Sequence, residues 1–299
     1  MQNKLQEHAL FDMIGTRQQL CVVKKTQHGI YLAQSQHATS SLECVLLPNA
    51  YVRGSENIGE IIDVFIYTDS SDRIIATTQM PTAMLNSIAL LPIKDSNEHG
   101  LFLDIGLAKD IFMPTKSIDF YKQYTHVVVR ITRDKMNRLI AKKDISPLIK
   151  PCKIQNLLHK KVSLWTISSS NLGILCVVLP YYHYGMIYHN TLQKPLALFN
   201  QYEAKVVKVR NDGRLDLVLV RDKEKLYSMI ASLNKKGEYF IVNDSNAREL
   251  AMSKKGVKKE LSELLTQKRI VFVQNKGYAI IESRLAKTYL KTKKHTNAK

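Results

Sequence analysis

Gly29-Ile30-Tyr31-Leu32, Gly100-Leu101-Phe102-Leu103 and Gly173-Ile174-Leu175-Cys176 are the stretches on which the fold turns. In each, a glycine opens an apolar run, and these glycines recur about every 70 residues, which marks a repeated small domain. A second apolar segment follows each run. Two alternating segments come next, joined by a polar turn at residues 69–73, 133–138 and 210–214. The last segment of each repeat opens with Arg and an aliphatic residue: Arg73-Ile74, Arg138-Leu139 and Arg214-Leu215.

Working outward, two-residue alternation predicts five strands per repeat. They cover residues 17–25, 30–33, 43–47, 59–67 and 73–78, then 87–93, 100–105, 110–113, 126–132 and 138–142, then 161–167, 173–179, 184–188, 202–209 and 214–220. Five short strands punctuated by Gly and Pro suit a closed barrel, which leaves few open edges. Pro114 occupies in the second repeat the place of Pro48 in the first. Residues 143–155, with Pro147 and Pro151, read as a linker or short bridging helix.

Beyond Val220 the period becomes helical. Leu226, Ile230 and Leu233 share one face of a helix that stops before Gly237. Ser253 is expected to cap a longer helix with the apolar stripe Val257, Leu261, Leu264 and Leu265. Lys254, Lys255, Lys258 and Lys259 crowd the start of that helix, which favours a phosphate ligand over helix stability in isolation. Residues 269–274 and 278–282 pair as a hairpin across Asn275-Lys276-Gly277, and helices followed by such a hairpin resemble a winged-helix domain. After Arg284 the Lys- and Thr-rich chain is expected to fray.

The balance of 44 Lys and Arg against 26 Asp and Glu gives a net charge of +18 over 299 residues, so polyanions are the natural partners. Residues 221–299 hold 19 basic and 8 acidic residues, which places +11 of that charge in the last quarter. No stretch approaches the ~20 apolar residues of a membrane helix. Residues 1–10 alternate polar and apolar, unlike a secretory signal. Cys21, Cys44, Cys152 and Cys176 lack the short paired spacing of a zinc or redox site and read as reduced thiols, so a cytoplasmic location is expected.

The repeat resembles the S-one RNA-binding domain, a barrel of the oligonucleotide-binding (OB) fold. His28-Gly29-Ile30-Tyr31 and His99-Gly100-Leu101-Phe102 carry its ring-Gly-x-aromatic signature, and Leu172-Gly173-Ile174-Leu175 has lost both rings. Gly185-Met186-Ile187-Tyr188 resembles its second signature. Over nearly the whole chain the order of parts is similar to the conserved virulence factor B, or YitL-like, family of bacterial RNA-binding proteins. The stretches that carry this are residues 63–67 through 73–78, and Met252-Ser253-Lys254-Lys255 through Lys258-Lys259; Val257 stands where that family usually has a larger ring.

The expected class is therefore mainly β with a C-terminal α+β domain. Three tandem five-stranded OB barrels occupy residues 1–80, 81–146 and, degenerate, 147–222; a winged helix at 223–284 and a basic tail at 285–299 follow. The resemblance implies a regulator of gene expression, virulence-associated genes included, acting after transcription. Unpaired bases stack on aromatic rings while Lys and Arg follow the backbone, so single-stranded RNA is the expected ligand. The candidate contacts are His28, Tyr31, His99 and Phe102, with Tyr188 in the third barrel. Tyr31 and Phe102 have a second reading, as fillers of the barrel interiors. Arg73, Arg138 and Arg214 are candidate phosphate contacts, with Lys142, Lys143, Lys254, Lys255, Lys258 and Lys259 as a basic track. Duplex DNA bound by the winged helix and the ribosome are the rival partners; no membrane association is expected. No Walker loop, paired-His metal signature or nucleophile elbow is present, and Asp69 and Asp72 sit in a polar turn where Asp belongs for backbone reasons. Neither catalysis nor a metal or other cofactor is expected.

Overall fold

The computed structural model describes residues 8–153, 157–192, 194–220, 223–250 and 254–296. Chain packing divides it into two units, Met1–Met186 with Ala197–Leu217, and Ile187–Leu196 with Val218–Lys299. Three closed barrels of five strands each account for β1 to β15. No helix among the described residues is long and apolar enough to cross a membrane.

The first barrel comprises β1 (Arg17–Thr26), β2 (Gly29–Ala33), β3 (Cys44–Pro48), β4 (Ile61–Thr68) and β5 (Ile74–Thr77), in the order β1-β2-β3-β5-β4. Its antiparallel ladders close through one parallel pairing, Leu46 beside Ile75. Alternation decides which side chains enter: Leu20, Val22, Ile30, Leu32, Val45, Leu47, Val64 and Ile66 fill the interior. Leu10 and Ile14, on and beside a short 3-10 turn at Phe11–Met13, plug one end. Each such buried side chain contributes about 1.5–3 kcal/mol.

The second barrel repeats the plan with β6 (Ile88–Asn97), β7 (Gly100–Leu103), β8 (Ile111–Pro114), β9 (His126–Arg133) and β10 (Leu139–Lys142). A short helix α1 (Ile118–Tyr121), absent from the sequence reading, connects β8 to β9. The third comprises β11 (Lys161–Ser169), β12 (Gly173–Val178), β13 (His183–Tyr188), β14 (Gln201–Val209) and β15 (Leu215–Leu219). β1, β6 and β11 each carry a register shift at the same place against the next strand, between Val22 and Lys24, Ile93 and Asp95, and Thr166 and Ser168. Such bulges bend a long strand so that it can serve two neighbours of a small barrel. The bulge also lets β6 run on to Asn97, beyond the expected end at residue 93.

One apolar cluster runs through the barrels. It joins Phe65 and Tyr67 of the first to Leu101, Met113 and Val129 of the second and to Val177 and Phe199 beside the third. Polar clasps reinforce it. Arg133 Nη2 donates to the carbonyls of Asp12 (2.6 Å) and Ile14 (2.7 Å), and Asn137 Nδ2 donates to that of Phe11 (2.7 Å). The connection between the second and third barrels holds a 3-10 turn at Ser146–Leu148, and Cys152 N–H donates to Gly213 O (2.9 Å). None of the four cysteines forms a disulfide; Cys21, Cys152 and Cys176 are buried and Cys44 half-buried. Burial pushes the Cys176 thiol up to about 12, so it stays protonated.

In the second unit, α2 (Lys223–Lys235) is followed by Phe240, which bridges to Tyr278, then by α3 (Asp244–Glu249), α4 (Lys254–Thr266), β16 (Ile270–Val273), β17 (Gly277–Ile280) and α5 (Arg284–Thr296). Leu226, Ile230, Phe240, Val257, Leu261, Leu264 and Ile270 form its core. The expected cap Ser253 lies outside the described residues. The expectation of a fraying tail after Arg284 is corrected: this segment is α5. Ser283 starts it, its Oγ accepting the Ala286 N–H (3.2 Å), and Ala286 is fully buried. Leu, Ala and Lys are good helix formers, and an N-cap with one buried anchor suffices to continue the chain as helix.

Candidate nucleic-acid interface

The second barrel holds the most developed surface. Leu101 and Leu103 of β7 point inward and are buried, so Phe102 between them faces outward, half-buried. Across the ladder Phe102 pairs with Phe112 of β8, the ring centroids 5.2 Å apart and the planes inclined at 47°. Gly100 makes room for this. A Cβ there would lie 2.7 Å from the Phe112 ring and 2.3 Å from Met113 O. Ile140 of β10, beside Phe112 in the parallel pairing, extends the apolar floor.

These rings floor a groove of about 650 Å³ rimmed by Asn97, His99, Lys109 and Arg138, with Ser70 of the first barrel along one side. Arg138 donates from Nε to Asp134 Oδ2 (2.9 Å), and its Nη1 lies 3.5 Å from Asp72 Oδ2. The bond to Asp134 and the nearby Asp72 charge hold its pKa above the ordinary arginine value. Lys109 Nζ donates to Asp69 O (2.7 Å) and lies 3.4 Å from Asp72 Oδ1. The acidic turn of the first barrel therefore rests on the two cations at the groove's rim. His99 is exposed, with Nε2 3.5 Å from Glu98 Oε1.

In the first barrel Tyr31 takes the place of Phe102, half-buried and facing outward between Lys24 of β1 and Leu46 of β3. The reading of Tyr31 and Phe102 as interior fillers is thereby corrected, because Ile30, Leu32, Leu101 and Leu103 already occupy the inside. Leu46 stands where the second barrel has Phe112, so the first has one ring rather than two. His28 is exposed and its ring contacts the Gln27 amide at 3.1 Å. Arg73, with 76% of its side chain exposed, is clamped on its own turn by Asp69 (Nε to Oδ2, 2.8 Å).

The third barrel has Leu175 across from Ser168, with no ring at this position. Tyr188 ends β13 as Pro48 and Pro114 end their strands, and is half-buried. Arg214 is exposed, 3.6 Å from Asp212. Lys142 and Lys143 are exposed at the end of β10 but do not line the groove. On α4, Lys254, Lys255, Lys258 and Lys259 are exposed opposite the buried Val257, Leu261 and Leu264, and Lys254 pairs with Asp244 at 3.0 Å.

The structure thus gathers His99, Phe102 and Arg138 into one groove and leaves the other candidates on separate surfaces. Sequence reasoning missed Phe112, Lys109, Asn97 and Ser70. Phe112 was open to discovery, since it sits two residues before Pro114 between the inward Ile111 and Met113.

Tandem outward-ringed barrels define the class: an array of OB-fold modules. Residues 14–79, the first barrel, match the family model of the S1 domain. Over 234 residues, 73% of this chain and 74% of the relative, the chain is 22% identical to the uncharacterized protein YitL of Bacillus subtilis (strain 168). The chain is thus similar to YitL over most of its length, and its first barrel is similar to the S1 domain. Among solved structures it is similar to a multidomain protein with nucleic acid binding domains from Streptococcus pneumoniae, at 18% identity, covering 90% of this chain and 99% of that one with a TM-score of 0.46. A Drosophila Unr fragment (CSD456) aligns at 16% identity over 68% of this chain and 95% of its own, with a TM-score of 0.16.

Proposed function

We propose that this protein binds single-stranded RNA on the outer faces of its barrels and acts as a non-catalytic regulator of gene expression after transcription, virulence-associated genes included. The observation that carries the reading is the Phe102–Phe112 pair, open to solvent on an apolar floor and bordered by Lys109 and Arg138. An unpaired base offers a flat face worth about 1–3 kcal/mol on such rings, while its phosphates suit the rim cations. A duplex hides its bases in the stack and has no face to give. The lone Tyr31 beside Lys24 provides a second, weaker position, and two weak sites on one chain add avidity.

The C-terminal order of helix, bridge strand, two helices and hairpin supports a winged-helix reading, with the α4 lysines following a phosphate backbone. Those lysines favour one rival specifically, duplex DNA. Competition between a labelled single-stranded RNA and a DNA duplex decides: preference for duplex sinks the reading. Phe102→Ala combined with Phe112→Ala should weaken RNA binding about tenfold or more. Unchanged affinity in that double variant refutes the barrel platform.

A further inference from the structure

The C-terminal hairpin carries a ring pair built like the one in the groove. Phe272 of β16 lies directly across from Tyr278 of β17, with ring centroids 5.0 Å apart and planes inclined at 54°. Tyr278 leans on the core of its module, whereas Phe272 is 48% exposed. The support beneath is firm. Gly277, at φ +128°, lets the hairpin approach the Phe240 backbone so closely that a Cβ would lie 2.5 Å from Phe240 O. The Phe240–Tyr278 bridge then exchanges two backbone hydrogen bonds, of 2.9 and 3.0 Å.

The module that holds the rings is rich in cations. Lys268 and Lys276 flank the hairpin, exposed, and the Arg269 guanidinium lies 4.0 Å from the Tyr227 ring centroid. The exposed lysines of α4 belong to the same module. We infer that the Phe272–Tyr278 face is a second base-stacking site for single-stranded nucleic acid, distinct from the barrel groove. A half-exposed ring pair on a hairpin flanked in sequence by exposed lysines matches a ligand with flat faces strung along an anionic chain. A duplex supplies the charge without the open face. The inference rests on the reading that single-stranded RNA is the ligand, and it names where the C-terminal module touches that strand.

The test uses the full chain and a fluorescein-labelled uridine oligomer of about 20 nucleotides, with affinity read by anisotropy. Phe272→Ala and Phe272→Leu should each weaken binding about fivefold or more, since Leu keeps apolar bulk but offers no ring face. Phe272→Trp should retain or improve it, and affinity for a DNA duplex should not change in any of the three. Wild-type affinity in Phe272→Leu, or an equal loss for duplex, overturns the inference. If Phe272→Ala binds normally while the Phe102→Ala, Phe112→Ala double variant does not, the hairpin site falls and the barrel reading stands. If the double barrel variant also binds normally, the barrel reading falls with it.

Discussion

Asp72 faces the two rim cations that the proposed RNA reading assigns to phosphate, and Asp72→Asn should therefore tighten RNA binding. Its carboxylate lies 3.4 Å from Lys109 Nζ and 3.5 Å from Arg138 Nη1, the two cations on the rim of the Phe102–Phe112 groove. All three side chains are between 35% and 44% exposed, so each pair is worth only about 0.2–1 kcal/mol. Removing the competitor from both cations returns about 1 kcal/mol to an incoming phosphate, a gain of about fivefold in affinity. Asp72 sits at φ +58°, a conformation Asn adopts as readily as Asp, so the turn keeps its shape. The assay is anisotropy of a labelled uridine oligomer across a salt series. The gain should be largest at low salt, and the slope of log affinity against log salt should steepen by about one, the signature of an added phosphate contact. Weaker or unchanged binding at low salt would refute the reasoning, because Asp72 would then be orienting the cations rather than occupying them.

Gly100→Ala should both destabilise the second barrel and blunt the groove, since the new Cβ meets Met113 O at 2.3 Å and the Phe112 ring at 2.7 Å. A loss of about 1–3 kcal/mol in denaturant unfolding, together with weaker RNA binding, is expected. Arg133→Met removes charge-assisted bonds to the carbonyls of Asp12 and Ile14, and should cost roughly 2 kcal/mol in urea unfolding. Burial pushes the Asp69 carboxyl up, but Arg73 and the N–H groups of Arg73 and Ser71 outweigh it and hold the group below the usual range. Its stabilising contribution is thus complete above the unfolded value of about 3.9 and lost as pH falls through the lower folded value. The thermal midpoint should fall less steeply below about pH 4 in Asp69→Asn than in the wild type, and identical profiles would remove Asp69 from the account.

The barrels were legible because closure depends on local signals: a glycine where β2 and β7 pass close to the next strand, alternation that sorts inside from outside, and a turn ending in Arg. Phe102 was legible on the same terms. Ser70 was not, because it reaches the groove only when the first barrel docks on the second, and Lys109 was not, because it lies in the connection between β7 and β8, which alternation does not orient. Phe112 was readable too, since alternation between Ile111 and Met113 turns it outward, but it differs from its counterpart Leu46 by identity alone and a comparison of what the repeats share passes over it. The helix after Arg284 was missed for a different reason. Composition rich in Lys and Thr looked solvent-loving, and one buried alanine behind a serine cap outweighed it.

The apolar cluster that threads from Phe65 and Tyr67 to Val177 and Phe199 sets a rule for anyone cutting this molecule apart. A fragment holding one barrel would bare an oily flank that its neighbour normally seals, inviting clumping and adsorption to plastic. Point substitutions, rather than deletions, are therefore the instrument for assigning work to its parts.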